Sequence, residues 1–353
     1  MKKTVIAVVG CGRIADSAHF PAFSKIENVR VKYAFDLIPE KAAAMKEKYP
    51  IIENIGTDYK VALADPEVEA IYVLTPNYVH YTVAMDALAA GKHVFCEKPI
   101  TVNYALSCEM KEAADRAGKI LNIGVCNRFH KSVEEIARLN REGELGKIYS
   151  VYCSFRSGRS IPGLGGPFTT KSMSGGGVLI DWGIHFLDLI LYILGGAKIL
   201  TVSADAYSEM AKKISDYVYE SMWAGPAIPD GINDVEDYIT GYIRTDKSSI
   251  SFNGAWAQNI FENEMYIDFM GDRAGVRLTY CKQFKLYSIK DGKLSTIQTN
   301  HEIPNMYEME NRAFLESVAS GVKNRSNIDE VLESAKLLDL IYASAEKRQE
   351  IKG

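Results

Sequence analysis

The sequence predicts an α/β protein of two units, a doubly wound parallel sheet followed by a region built mainly on antiparallel strands. Three observations carry this. At 353 residues the chain holds two domains at roughly 100–200 residues each. Short β-rich runs alternate with helical patterns as far as about residue 126, which is how parallel strands and crossover helices read in sequence. Beyond that point a glycine-rich stretch and a series of strand patterns replace the alternation.

The parallel strands are expected at Thr4–Val9, Val31–Phe35, Ala70–Leu74, His93–Cys96 and Ile120–Val125. Helical patterns rich in Ala, Lys, Glu and Met fill the gaps at Pro39–Lys48, Tyr78–Ala90 and Asn103–Ala117, and Gly91 and Gly118 supply C-terminal stops to the last two. After Asn127 come a charged helix (Ser132–Arg141), a strand (Ile148–Phe155) and a stretch from Gly158 to Gly177 holding seven glycines, which reads as a long functional or disordered loop. An apolar helix follows at Ile184–Leu194. The remainder to about Ile297 is mostly strand-like, with Tyr238–Arg244, Ser249–Trp256, Met265–Met270 and Val276–Tyr280 clearest, and two helices, Tyr307–Ser320 and Ile328–Ala345, close the pattern.

Composition narrows the function. Lys plus Arg number 41 against 45 Asp plus Glu, a formal charge of −4, so neither nucleic acid nor an anionic membrane surface is expected as the main partner. Cysteines at 11, 96, 108, 126, 153 and 281 form no CxxC pair. That argues against a zinc knuckle or a disulfide framework and for a reducing, cytoplasmic setting, with no metal expected. Met1-Lys2-Lys3 and the apolar run after it look superficially like a signal peptide, but the run ends in Gly10-Cys11-Gly12-Arg13 rather than a cleavage site. The apolar stretch Val178–Leu194 carries Asp181, His185 and Asp188, and is too short and charged to span a bilayer.

The first chemical signal is a strand followed by Gly10-Cys11-Gly12-Arg13-Ile14-Ala15 and a helical pattern. This G-x-G-x-x-A context points to a dinucleotide: Gly10 permits the tight turn, Gly12 lets backbone approach a pyrophosphate, and Ala15 lets helix and strand pack closely. Asp36 ends the second strand, about 20 residues further on, where an acid bonds ribose hydroxyls. Leu37-Ile38-Pro39 supplies no cation for a 2′-phosphate, although Lys41 follows, so NAD is expected over NADP. The competing reading makes Asp36 a local cap only.

The ends of the third and fourth strand candidates carry Thr75-Pro76-Asn77 and Glu97-Lys98-Pro99, and open α/β sheets bind ligands at such carboxyl ends. A lysine there can stabilise an alcohol oxygen as it gains charge. The second cluster is Asp181-Trp182-Gly183-Ile184-His185 with Asp188. Asp181 and His185 share one helix face at this spacing, and a histidine of pKa about 6.5 can take an alcohol proton at neutral pH. An N-cap beside a core histidine is the plainer alternative.

Together these residues resemble the Gfo/Idh/MocA oxidoreductases, named for glucose-fructose oxidoreductase and inositol dehydrogenase. The resemblance rests on the Gly10–Ala15 motif with His19 and Pro21, on Asp36, on Thr75-Pro76-Asn77 with His80, on Glu97-Lys98-Pro99, and on Gly175-Gly176-Gly177 leading to Asp181, His185 and Asp188. It implies a Rossmann NAD-binding domain over 1–126 and a substrate-binding and oligomerisation α/β domain with a large open sheet over 127–353, assembled as a homodimer or homotetramer. It further implies cofactor contacts from Gly10, Gly12, Arg13, Ile14, Asp36, Thr75, Pro76, Asn77, His80, Glu97 and Lys98. Lys98, Asp181 and His185 would be catalytic, with His185 as base. Asn127-Arg128-Phe129-His130 departs from the family in its histidine, and Ser160–Thr170 and Tyr207–Asp230 read as expanded loops, which bears on substrate rather than chemistry.

The expected activity is hydride transfer between a secondary alcohol of a sugar, glycoside or cyclic polyol and nicotinamide. Two other readings remain open, an NAD-dependent glycosidase or lyase working through transient oxidation at C3, and a sugar-sensing regulator without chemistry. Trp182, Tyr217, Tyr219 and Trp223 are candidates for an aromatic wall against a sugar's C–H face, with core packing the alternative for each. Arg156 is placed with the substrate group, and Arg156 and Arg159 suit a carboxylate or phosphate on it.

Overall fold

The structure, a computed structural model, describes residues 3–222 and 224–353; Trp223 lies outside the described residues. The chain divides into two compact units, residues up to 129 with 304–332, and 130–303 with 333–353.

The first unit is built on six strands: β1 (Thr4–Val9), β2 (Val29–Phe35), β3 (Ile52–Gly56), β4 (Ala70–Val73), β5 (His93–Glu97) and β6 (Leu121–Gly124). They stand in the order β3-β2-β1-β4-β5-β6, all parallel, which is the doubly wound Rossmann arrangement. Every residue of β1 and β4 is buried, as parallel strands covered on both faces must be. β1 lies between β2 and β4, with Ile6 opposite both Val31 and Ala70. The strand order therefore reverses direction between β1 and β4, and a crevice forms at their carboxyl ends. The sequence reading lacks β3, and the cause is physical: only Ile52 of this edge strand is buried, so no hydrophobic alternation marks it.

The expected second domain, 127–353, gives up residues 304–332 to the first unit. The helix Met306–Ser320 buries Phe314 and Leu315 in the core around Ile6, Tyr72 and Phe95. The Phe314 ring lies 5.3 Å from Tyr72 and 5.6 Å from Phe95. After it, Ile123 N–H donates to the Ser326 carbonyl at 2.8 Å, and Asn327 Nδ2 donates to the Leu121 carbonyl at 3.1 Å. The free edge of β6 is thus closed by a segment some 200 residues away in sequence, a long-range pairing that local pattern does not encode.

The second unit carries nine strands: β7 (Ile148–Arg156), β8 (Ile199–Tyr207), β9 (Tyr238–Thr245), β10 (Ser249–Ala255), β11 (Glu264–Gly271), β12 (Ala274–Thr279), β13 (Phe284–Lys290), β14 (Lys293–Gln298) and β15 (Ile351–Lys352). Their order is β14-β13-β12-β11-β7-β10-β9-β8-β15. Neighbours are antiparallel except β7 with β10. Asp291 and Gly292, both at positive φ (51° and 73°), make the hairpin turn between β13 and β14, as the right-handed twist of the paired strands requires. One face of the sheet is apolar: Val151, Cys153 and Phe155 of β7 join Ile239, Phe252 and Ile267 in a single core with the helix Ile184–Ile193. The alternate residues, Tyr152, Thr240 and Tyr266 among them, face the other way, as the two-residue period of a strand dictates. The apolar stretch Lys171–Ile193 is long enough to cross a membrane by composition, but its most apolar 18 residues are 78% buried inside the protein, where they form core.

Phe314→Ala should cost about 3–5 kcal/mol, the usual range for emptying a buried aromatic site. Met309→Ala on the same helix, at a position 39% exposed, should stay within about 0.5 kcal/mol. Urea unfolding followed by circular dichroism reads both; equal effects would remove this helix from the core of the first unit.

Candidate active site

In the first unit the glycine turn sits at the crevice. Gly10 adopts φ +103°, and a Cβ there would lie 2.4 Å from the Leu74 carbonyl oxygen, so this position admits glycine alone. At Gly12 an added Cβ would meet nothing within 4 Å, which leaves open space over the turn. Asp36 holds the turn from the side: Oδ2 accepts from Cys11 N–H and Oδ1 from Ile38 N–H, each at 2.9 Å. It therefore both fixes the glycine loop and caps the chain that follows. Burial, and then the Asp36 charge, push the Cys11 thiol up to about 12, against a smaller opposing effect of Lys41. Cys11 is thus an inert packing group.

Across the crevice, the Thr75 hydroxyl is buried and has no hydrogen-bond partner among the described residues. Such an orphan is unusual and suits a ligand group. Gly12's open approach, Asp36 and the Thr75 hydroxyl together fit a dinucleotide. Arg13 is exposed, and Ile14, Asn77 and Lys98 are partly so. Pro76 caps the helix Asn77–Ala89 with extended ψ.

His80 differs from its expected contact role. It is 1% exposed, with Nδ1 on the Pro99 carbonyl at 2.8 Å and Nε2 on the Thr75 carbonyl at 2.9 Å. Burial lowers its pKa, with the two carbonyls opposing. His80 ties the turn after β4 to the turn that presents Lys98, and it positions both. Glu97 is buried as well. Its Oε1 meets His19 Nε2 at 2.9 Å and its Oε2 accepts from Lys98 N–H at 3.1 Å. His19, fully buried, reaches Asn311 through Nδ1, and Phe95 packs edge-on to its ring at 5.2 Å. The His19–Glu97–Asn311 network is a feature that reasoning from sequence missed; His19 and Pro21 after the glycine motif were its only trace, because Asn311 lies far along the chain.

In the second unit Asp181 falls in a π-turn, Leu179–Gly183, and His185 in the helix Ile184–Ile193 that continues it. Both are partly exposed. π-turns inside helices recur at functional sites. The anchor of this segment is Glu236, also missed in sequence. Its buried carboxylate accepts from Gly177 N–H at 2.8 Å, Leu179 N–H at 3.0 Å and the Tyr342 hydroxyl at 2.9 Å. The glycines before the turn are explained by packing: a Cβ on Gly176 would lie 2.0 Å from the Tyr342 hydroxyl, and one on Gly177 1.9 Å from the Glu236 carbonyl. Much of the stretch 158–177, expected as an extended loop, is buried. Phe186 stacks between Phe155 (5.1 Å) and Tyr280 (4.5 Å), which sets the rotation of the helix that carries His185.

The remaining candidates separate. Asp188 is 1% exposed and accepts from Ser334 Oγ at 2.7 Å, a structural pairing. Trp182, Tyr217 and Tyr219 pack partly buried against the core, and the Tyr217 hydroxyl accepts from Ile161 N–H at 3.4 Å; packing accounts for all three. Arg159 spends its guanidinium on the carbonyls of Gly158 and Gln258. Arg156 pairs with Glu264 and follows Phe155 on β7, so it emerges on the sheet face opposite the helix of His185. Among the described residues no group of His, Cys, Asp and Glu is arranged to hold a metal.

Two family models match the chain: an oxidoreductase family's NAD-binding Rossmann fold over residues 4–125, and its C-terminal α/β domain over 139–352. A D-glucoside 3-dehydrogenase of Escherichia coli is 29% identical over 97% of this chain and 95% of its own. A putative UDP-kanosamine synthase oxidoreductase subunit of Amycolatopsis mediterranei is 32% identical over 72% of this chain and 68% of its own. Levoglucosan dehydrogenase in complex with NADH and levoglucosan superimposes with TM-score 0.83 at 19% identity, covering 99% of each chain, a likeness of fold.

Burial raises the Glu236 pKa above its ordinary value, against its hydrogen bonds. The folded state therefore binds the proton more readily than the unfolded chain does: the associated stability is full below the unfolded value of about 4.3 and is lost as pH rises through the folded value. The difference in melting temperature, wild type minus Glu236→Gln, should shrink as pH rises from 4. A flat difference would show that Glu236 titrates alike in both states.

Proposed function

Because the chain belongs to the Gfo/Idh/MocA oxidoreductase family, whose N-terminal domain binds NAD, we propose that it is a dehydrogenase oxidising a secondary alcohol of a sugar, glycoside or cyclic polyol. The observation that carries the reading is the pair of turns at the crevice of the first unit, with Asp36 bonded into the glycine loop and Lys98 presented by a fixed Glu97. The named activities of the relatives, a glucoside 3-dehydrogenase and a myo-inositol 2-dehydrogenase among them, support the substrate class.

NAD, when bound, supplies the hydride acceptor. Gly10, Gly12 and the backbone around Arg13 and Ile14 would hold its pyrophosphate, Asp36 its ribose hydroxyls, and Thr75 a group deeper in the crevice. His185 takes the proton of the reacting hydroxyl, a contribution on the order of 10²–10⁴-fold. Lys98 donates to the same oxygen and stabilises the charge that grows there as the proton leaves. Asp181, one turn before His185, orients the hydroxyl. Glu97 acts on Lys98 through the backbone: Oε2 accepts from the Lys98 N–H and Oε1 meets His19, so the turn that presents Lys98 is pinned.

NAD should be preferred over NADP, since the Asp36 carboxylate would repel a 2′-phosphate on the ribose it is proposed to hold. A comparison of kcat/KM tests this, and a tenfold preference for NADP, about 1.4 kcal/mol, would overturn the role given to Asp36. Lys98→Met and His185→Ala should each cut kcat by orders of magnitude on the best substrate of a sugar and glycoside screen, with the NAD-induced rise in melting temperature kept. Near-wild-type turnover in either removes that residue from the mechanism. Net NADH formation in the screen separates the dehydrogenase from a glycosidase that returns its cofactor unchanged.

A further inference from the structure

In the first unit the helix Met306–Ser320 reaches the turn of Lys98 through a chain of buried side chains. Glu97 ends β5 and pairs with Gly124 of β6. A Cβ on Gly124 would lie 2.8 Å from both the carboxyl carbon and Oε1 of Glu97, so glycine at this position leaves the carboxylate its seat. Two directed bonds then orient the group: Oε2 accepts from the Lys98 N–H at 3.1 Å, and Oε1 meets His19 Nε2 at 2.9 Å. The last torsion of a glutamate side chain has only broad preferences of its own. The bond to Lys98 is to the neighbouring residue, so it is His19 that ties the carboxylate to the rest of the fold.

A carboxylate accepts and does not donate, so His19 must carry a proton on Nε2. Which nitrogen of an imidazole is protonated depends on the partner of the other, and that partner is Asn311, fully buried. Its Nδ2 lies 3.2 Å and its Oδ1 3.3 Å from His19 Nδ1. The amide therefore answers a bare Nδ1 by donating and a protonated one by accepting, and Nε2 keeps its proton for Glu97 in both states. Nδ2 of Asn311 also donates to the Tyr307 carbonyl, one turn back on the helix, at 2.7 Å. The rings of Phe23, Tyr72, Phe95 and Tyr307 stand around His19 at centroid distances of 6.0, 6.0, 5.2 and 6.2 Å and confine it.

We propose that Asn311 and His19 are positioning residues for Lys98. Asn311 holds the His19 ring, the Nε2–H of the ring holds the Glu97 carboxylate, and the carboxylate holds the Lys98 amide and with it the turn from which the ammonium projects. The benefit to catalysis rests on the role proposed above for Lys98; the relay itself does not.

The test reads the Lys98 amide by NMR in the full chain labelled with isotopic lysine, where the Lys98 signal is the one lost in Lys98→Arg. Its hydrogen exchange is compared at one pH in wild type, Asn311→Leu, His19→Gln and the double variant. Leucine keeps the bulk of asparagine without its polar atoms, and glutamine keeps an N–H to face Glu97. Asn311→Leu should speed exchange at Lys98 about tenfold, the loss of roughly one net hydrogen bond, and leave Lys111, inside the helix Tyr104–Ala117, at its wild-type rate. In the His19→Gln background the same change should add less than about twofold, because its route through the ring is gone. Unchanged exchange at Lys98 in Asn311→Leu, equal acceleration at Lys98 and Lys111, or full additivity in the double variant overturns the proposal. A loosened Lys98 amide with unchanged turnover supports the relay and removes Lys98 from the mechanism, so the two readings fail separately. Wild type decides the matter if a variant does not fold: with isotopic histidine, His19, identified by its contact with the Phe95 ring, should show its proton on Nε2, and a bare Nε2 with the proton on Nδ1 overturns the proposal.

Discussion

A backbone N–H inside a folded chain needs an acceptor, and at three of the turns proposed to carry chemistry in this protein a carboxylate supplies it. Asp36 takes the amides of Cys11 and Ile38, Glu97 that of Lys98, and Glu236 those of Gly177 and Leu179. Charge-assisted bonds of this kind are the strong ones. They also explain why the turns hold one shape, since an alternative conformation would strand either a buried amide or a buried carboxylate. The presentation of Lys98 and of the Asp181–His185 segment depends on these anchors more than on local helix or strand propensity.

The glycines complete the same design from the other side. Gly10 clears the Leu74 carbonyl, and Gly176 and Gly177 clear Tyr342 and Glu236. Where a carboxylate must come close to an amide, a side chain on that residue or its neighbour would hold the two apart. The glycine-rich run before Asp181 therefore records close packing, not freedom of movement.

His19 and His80 show how histidine is used for position in this fold. Each is buried, each places both ring nitrogens on protein partners, and each joins segments that meet only in the folded chain. Their neighbours in sequence, the glycine motif and Thr75-Pro76-Asn77, carry the contacts proposed for the cofactor, while the histidines hold those contacts in register.

The sequence by itself determined the parallel unit and the glycine turn with Asp36, and it singled out Lys98, Asp181 and His185 as candidates, because these are signals of short range: hydrophobic period, turn residues and motif spacing. It could not determine β3, whose edge position leaves only Ile52 buried, or the return of Phe314 and Asn327 to the first unit. Tertiary structure alone decided that Arg159 is consumed by carbonyls, that Asp188 answers Ser334, and that Arg156 faces away from the His185 helix. A lone arginine or aspartate reads the same in sequence whatever it pairs with. Its partner is chosen by strand register and long-range packing, and these exist only once the chain has folded.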